Sequence, residues 1–339
     1  MFAKMFEALY FKVLINIVVK RASTVVYIEL YSKKKTIDTV HKEFETTKFN
    51  EDMLEFITNY TKESPYYYIS LLDISSLQGA LPTCSKNRLG YYYDLSDCEY
   101  RCYEGRWTYY TSKTELYDIE KKYKAIGVDF IFSPFVLLAK FFQDKINGTL
   151  AIYALIQENS ISLCVFEEGS LIYADHLEIQ ASFSSDDILL SNDMDEDLEL
   201  DLDSGIDLES IDVESEESEL EDFGNIEDLD SIEDLDEFDD SKDIEEELLE
   251  SNVSLEEAGD ESFNEDYQRF TLIQNSIANF YKDERYESQF LENIYIADGV
   301  DVSSDLKKYL EEEMFLNVYV RHMELDAEVC EITKEELNI

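Results

Sequence analysis

"LAIYALIQENSISLCVFEEGSLIYADHLEI", residues 150–179, decides how this chain is read. Runs rich in Ile, Leu, Val and Tyr are broken by "QEN" and "EEG", short polar stretches that suit tight turns. The pattern predicts a meander of three antiparallel strands. Some nucleotide-binding folds hold a phosphate in the first turn of such a meander. That use calls for glycine, because any Cβ keeps the backbone N–H groups from the phosphate. The turn in "LIQENSISL" has no glycine, and its one acid, Glu158, repels phosphate unless a metal intervenes.

A second meander lies upstream. "VLINIVVK", "TVVYIELYS" and "TIDTVHKEF" follow one another between Val13 and Phe44, separated by "RAS" and "KKK". A helix is expected next, capped by Asn50, with Met53, Ile57 and Tyr60 on one face. "YYYISLLDI" from Tyr66 then reads as a buried strand. After residue 150 the order recurs: the three-strand meander, a helix from about Asp266, the strand "NIYIAD" from Asn293, a helix from about Ser303 and a last strand, "LNVYVRH", from Leu316. Between the copies, "SKTE" from Ser112 reads as a capping box, "VDFIF" from Val128 as a short strand, and Pro134 after Ser133 as a helix start. The expected fold is α/β with an internal duplication. Residues 1–149 form the first half, with an extra α/β segment at about 74–127. Residues 150–180 and 267–339 form the second half.

Residues 181–266 interrupt that second half. They hold 38 acidic residues and one basic residue, Lys242, a charge of −37 out of −50. Such a stretch buries too little apolar surface to offset chain entropy and self-repulsion, so it is expected to be disordered. It serves as a solvated spacer or as a docking ladder for a partner. "DLDSGIDLE" from Asp201 lacks the alternation of a calcium loop. Elsewhere 78 − 38 = 40 acidic residues face 28 − 1 = 27 basic ones. That balance argues against nucleic acid as the main partner. The one dense basic cluster is "SKKK", Ser32 to Lys35, read as solvated turn lysines or a phosphate or lipid contact. The opening "MFAKMFEALYFKVL" is not a convincing signal peptide, and Phe2, Met5, Phe6 and Leu9 could share one helical face. No run reaches the roughly 18 apolar residues of a membrane span.

A doubled β-β-β-α-β-α unit is the signature of actin-like proteins, whose halves are ribonuclease H-like. The order of segments resembles the PilM and GspL type, cytoplasmic components of type IV pilus and type II secretion inner-membrane platforms. The resemblance rests on "SISLCVFEEGSLIYADHLEI", on "KKYKAIGVDFIFSPFVLLAKFF" and on "ENIYIADGVDVSSDLKKYLEEEMFLNVYV". It implies a cytoplasmic adaptor, peripheral at the inner membrane, that binds the cytoplasmic tail of a single-span membrane protein and joins a ring. Pilus, secretion and flagellar-motor assemblies all fit.

An actin-like ATPase needs Asp-x-Gly followed by Ser or Thr in both phosphate turns. The first turn here, "NIVVKRASTVV", offers Lys20, Arg21, Ser23 and Thr24 but no glycine or aspartate. Near the adenosine, "IADGVDVSS" has Gly299 alone. No nucleotide, metal or other cofactor and no catalytic residue is therefore expected; a divergent ATPase and an acidic interaction module are the alternatives. Cys84, Cys98 and Cys102 fall close together, but a C-x3-C pair with no nearby His is a poor zinc set. Reduced structural thiols are the expectation, and an odd count of five fits a reducing compartment. The tyrosine triplets at Tyr66 and Tyr91 read as half-buried strands.

Overall fold

The protein is described from a computed structural model, which describes residues 10–179, 256–286 and 288–339. The acidic segment, the calcium-like stretch and the residues before Tyr10 lie outside the described residues. Strands β1 (Lys12–Val19), β2 (Thr24–Ser32) and β3 (Lys35–Phe44) form the first meander. Helix α1 (Glu51–Thr61) follows, its first turn closed by the Asn50 side chain accepting from Met53 N–H. Strand β4 (Tyr67–Leu72) then pairs parallel with β1, and β8 (Phe130–Phe132) pairs parallel with β4. The sheet order is β3-β2-β1-β4-β8.

The second half repeats this arrangement. Strands β9 (Ala151–Ile156), β10 (Ser160–Glu167) and β11 (Ser170–Glu178) form the meander of residues 150–179. Helix α5 (Glu256–Lys282) leads to β12 (Asn293–Asp298), and α6 (Ser304–Glu312) leads to β13 (Asn317–His322). The order is β11-β10-β9-β12-β13, with two antiparallel and two parallel pairings as in the first sheet. Two sheets of identical topology in one chain make the fold actin-like.

The segment between β4 and β8 builds a third sheet, ordered β5-β7-β6, from β5 (Gln78–Leu81), β6 (Cys98–Tyr103) and β7 (Trp107–Ser112). Helix α2 (Lys86–Tyr92) joins β5 to β6, and α3 (Lys113–Lys122) leads on to β8. The structure departs from the sequence expectation here. The triplet at Tyr91 straddles the end of α2 and is not a strand. The capping box does not form: Ser112 makes no side-chain cap, and Glu115 accepts instead from Ser76 N–H, Ser76 Oγ and Leu77 N–H. An acid that can satisfy three donors of a neighbouring loop gains more there than at its own helix start. Cys84 and Cys102 are joined by a disulfide, Cα to Cα 5.4 Å, and Cys98 is a separate buried thiol. This removes two of the three zinc candidates and sets one bridge against the expectation of reduced thiols. Helix α5 also begins at Glu256 rather than near Asp266, because the run of acids before it still has helical propensity.

Each half ends in a helix that packs on the other half. Helix α4 (Pro134–Phe141), with Pro134 in its first turn and Ser133 capping Phe135 N–H, lies against β9 and β10. Helix α7 (Leu325–Glu336) lies against β1, β2 and β4. The two helices touch, and Phe135, Leu137, Leu138, Val329 and Ile332 share one apolar core between the sheets. A second core sits between the second sheet and α5 and α6, and a third between the first sheet and α1. Among the described residues no helix is long and apolar enough to cross a membrane.

The contact of α7 with the first sheet has a polar centre. Lys334 Nζ lies 2.8 Å from Glu29 Oε1, with both side chains largely buried. Thr36 Oγ1 donates to the same carboxylate, and Thr333 Oγ1 bonds Asn16 and Ser70. Burial disfavours the Lys334 ammonium, but the hydrogen bonds it donates to Glu29 and Glu331 outweigh this and raise its pKa. Removing one partner would leave the other as a buried unpaired charge. K334A is expected to cost about 3 kcal/mol in urea unfolding, and K334M/E29L to recover most of that loss.

Candidate functional site

In this fold the candidate site lies where the turns after β1, β9 and β12 converge. The first turn closes through Lys20 N–H to Ser23 O at 2.9 Å, the second through Gln157 N–H to Ser160 O at 2.9 Å. The third follows β12, where Gly299 N–H donates to Ile156 O at 3.0 Å. A Cβ on Gly299 would meet that oxygen at 3.0 Å and Leu325 Cδ1 at 2.9 Å. Glycine is thus required here for packing on the end of β9 and on α7.

The two meander turns are bonded directly to each other. Arg21 N–H donates to Glu158 Oε2 at 3.0 Å, and Arg21 Nη2 to the Glu158 carbonyl at 2.6 Å. Arg21 Nη1 reaches Glu265 on α5. Glu265 also takes Arg269 at 2.9 Å, and Arg269 takes Asp266 at 2.6 Å. Asp266 then accepts from the Ser303 backbone N–H and hydroxyl at the start of α6. On the other side Lys20 lies 3.7 Å from Glu43 and 4.0 Å from Glu158. Three cations, Lys20, Arg21 and Arg269, therefore meet four carboxylates, Glu43, Glu158, Glu265 and Asp266. Burial pushes the Glu265 carboxyl up, but Arg21 and then Arg269 outweigh it and hold its pKa below the usual range. Glu43 is likewise held low by the Ser23 hydroxyl and Lys20.

Behind this bridge is a cavity of about 50 Å³, lined by Val18, Lys20, Gln157, Ser160, His176 and Gly299 among others. Ligand pockets are typically several hundred Å³. His176 bonds Ser162 Oγ through Nδ1 at 2.9 Å, and burial lowers its pKa to about 4 despite Asp175 and Glu115. Asp73, at the end of β4, has its pKa raised by burial although Ser75 and Thr111 bond it. Ser162 is fully buried beside His176, so the pair is not open to a substrate.

Two larger grooves lie elsewhere. One, about 480 Å³, is lined by Tyr92, Tyr93, Tyr110, Tyr173 and Tyr286 with Lys282. Tyr93 stacks on Tyr110 at 4.7 Å. The other, about 530 Å³, is edged by Glu167, Glu168, Phe290 and Glu292. Asp298, Asp301 and His322 bring one ligand atom each within 4.8 Å of one another. Asp298 already accepts from Val300 and Val302 N–H, and His322 lies 3.3 Å from Asp301, so these contacts order the loop.

Of the residues singled out in sequence, the structure brings Lys20, Arg21 and Glu158 together. Glu158, expected to repel phosphate, is held by Arg21, a partner that the sequence did not indicate. Glu265, Arg269 and His176 were not anticipated. The i, i+3 and i, i+4 spacing of Arg269 with Asp266 and Glu265 was the available signal, hidden at the edge of an acidic run.

His176 generates a pH prediction. Its folded pKa lies below the unfolded value, so the unfolded chain binds the extra proton first. The associated stability is complete above about pH 6.5 and is lost as pH falls toward 4, by up to about 3 kcal/mol. H176Q, which does not titrate, should have a lower urea midpoint than wild type at pH 7 through the lost Ser162 contact, and the difference should shrink or reverse at pH 4.5. Similarly, R21A should lower stability by about 2 kcal/mol by leaving Glu158 and Glu265 without their shared donor.

Two family models match the chain, both domains of unknown function: DUF8569 over residues 10–139 and DUF8341 over residues 152–338. No curated protein matches it in sequence. Among solved structures it is similar to a Bacteroides thetaiotaomicron protein with an actin-like ATPase fold and unknown function, at 11% identity and TM-score 0.43, covering 91% of this chain and 90% of that one. It is similar to a PilM-PilN type IV pilus biogenesis complex at 10% identity and TM-score 0.44, covering 91% and 88%. It is also similar to MreB 5 of Spiroplasma citri bound to AMPPNP, at 10% identity and TM-score 0.43, covering 96% and 97%. Since the DUF8341 model spans more than half of the residues, the chain belongs to that family of domains of unknown function.

Proposed function

We propose that this protein is a non-catalytic, actin-like adaptor that binds the cytoplasmic tail of a single-span inner-membrane protein in a pilus, type II secretion or flagellar-motor assembly. It would act in the cytoplasm, peripheral to that membrane. The observation that carries this reading is the Arg21–Glu158–Glu265 bridge. It fills with protein charge the place where such folds cradle phosphates, and its carboxylates outnumber its cations. A triphosphate would have to displace paired groups and meet a surplus of negative charge. With that chemistry gone, what remains is a rigid two-sheet scaffold with open grooves. The tyrosine-lined groove suits an extended tail, since tyrosines offer broad apolar faces and hydroxyl donors.

Calorimetric titration of ATP with Mg²⁺ into the folded protein is expected to give no saturable heat; micromolar binding would move the reading to a divergent ATPase. Crosslinking in cells, followed by membrane isolation, is expected to capture a single-span protein. A peptide of its cytoplasmic tail should then bind, and Y93A should weaken that binding roughly tenfold while leaving the fold intact. Binding that instead vanishes when residues 181–255 are deleted would place the function in the acidic segment.

A further inference from the structure

The first sheet carries two features at its end opposite the candidate site. Strand β1 starts there at Lys12, which pairs with Tyr31, two residues before the β2–β3 turn. That turn is Lys33 and Lys34, flanked by the pair Ser32 and Lys35. All three lysines are exposed, and none makes an ion pair among the described residues. Lys33 and Lys34 both have positive φ, 50° and 64°. A two-residue turn of this kind ordinarily takes Asn-Gly, because lysine is strained in the left-handed region. Charge therefore stands at this tip at the expense of turn geometry.

Exposed apolar and aromatic groups lie at the same end of the sheet. Ile37 is 60% exposed on β3, Tyr10 is 48% exposed just before β1, and Tyr67 is 41% exposed at the start of β4, beside Val13. Tyr10 and Tyr66 are in ring contact at 6.0 Å. Lysines, exposed tyrosines and apolar residues at one edge are the composition of a surface that sits at a membrane interface. The basic cluster is anomalous on a chain of net charge −50, and screening within about 8 Å keeps the distant acids from cancelling it.

We propose that this end of the first sheet, Lys33, Lys34 and Lys35 with Tyr10, Ile37 and Tyr67, binds directly to the surface of an anionic lipid bilayer. Charge complementarity selects the bilayer, because each lysine near an anionic surface adds an attraction that neutral lipid does not supply. The contact does not involve the tyrosine-lined groove or the arginine bridge, so it stands or falls apart from the adaptor reading. Seated this way, the candidate site would face away from the membrane by the length of β1, roughly 25 Å.

The test is co-sedimentation of the full chain with vesicles of phosphatidylcholine and phosphatidylglycerol in equal parts, against vesicles of phosphatidylcholine alone. Binding to the anionic vesicles only, weakened by salt, is expected. K33E/K34E/K35E should lower that binding by roughly two orders of magnitude. K33N/K34G, which relaxes the turn, should bind roughly thirty-fold less tightly with a melting temperature equal to or above wild type. Absence of binding to anionic vesicles, equal binding to both, or full binding by K33E/K34E/K35E would overturn the proposal. So would salt-sensitive self-association, abolished by the same variant, in protein that ignores vesicles. That outcome would assign the lysines to the acidic segment of a second copy.

Discussion

The architecture depends on the exchange of α4 and α7 between the two sheets. Without it the halves would be two separate small domains, each with an apolar sheet face open to water. With it, each terminal helix covers the partner sheet, and the two helices meet in a single core. The exchange is specific because its centre is polar. Glu29, Lys334, Thr333, Asn16 and Ser70 satisfy one another only when α7 lies in one register on β1, β2 and β4. Apolar packing supplies the driving force, and this network selects the pose.

The arginine bridge follows from that geometry. The exchange brings the turns after β1 and β9 face to face. Here the two sides contact each other. Arg21 donates from both backbone and guanidinium to Glu158, and α5 adds Glu265 from a third direction. A charged ladder thus bridges the cleft between the two halves.

Much of the fold was legible in the residues. Strands β2 and β12 match the runs "TVVYIELYS" and "NIYIAD" end to end, because β-branched and aromatic residues bounded by turn residues have few other uses. Asn50, Ser133 and Ser303 cap the helices they were expected to start, since a side-chain oxygen ahead of an amphipathic run has a local partner. Helix α7 carries no clear sequence signal, because its inner face mixes Leu325 and Val329 with Cys330, Thr333 and Lys334, which blurs the apolar stripe. The missing glycines in both turns could be read directly. Their replacement by an ion-pair ladder could not, because Arg21 and Glu265 are 244 residues apart.

The sequence alone determined the duplicated order of elements, the acidic interruption and the absence of phosphate-binding letters, because each is a local property of periodicity, composition or motif. Tertiary structure decided what those segments do to one another. It set Glu29 against Lys334 and Arg21 against Glu158, and put the lysine turn at the end of the sheet where β1 begins. Such pairings depend on which strand ends the topology brings together, and no local pattern carries that information.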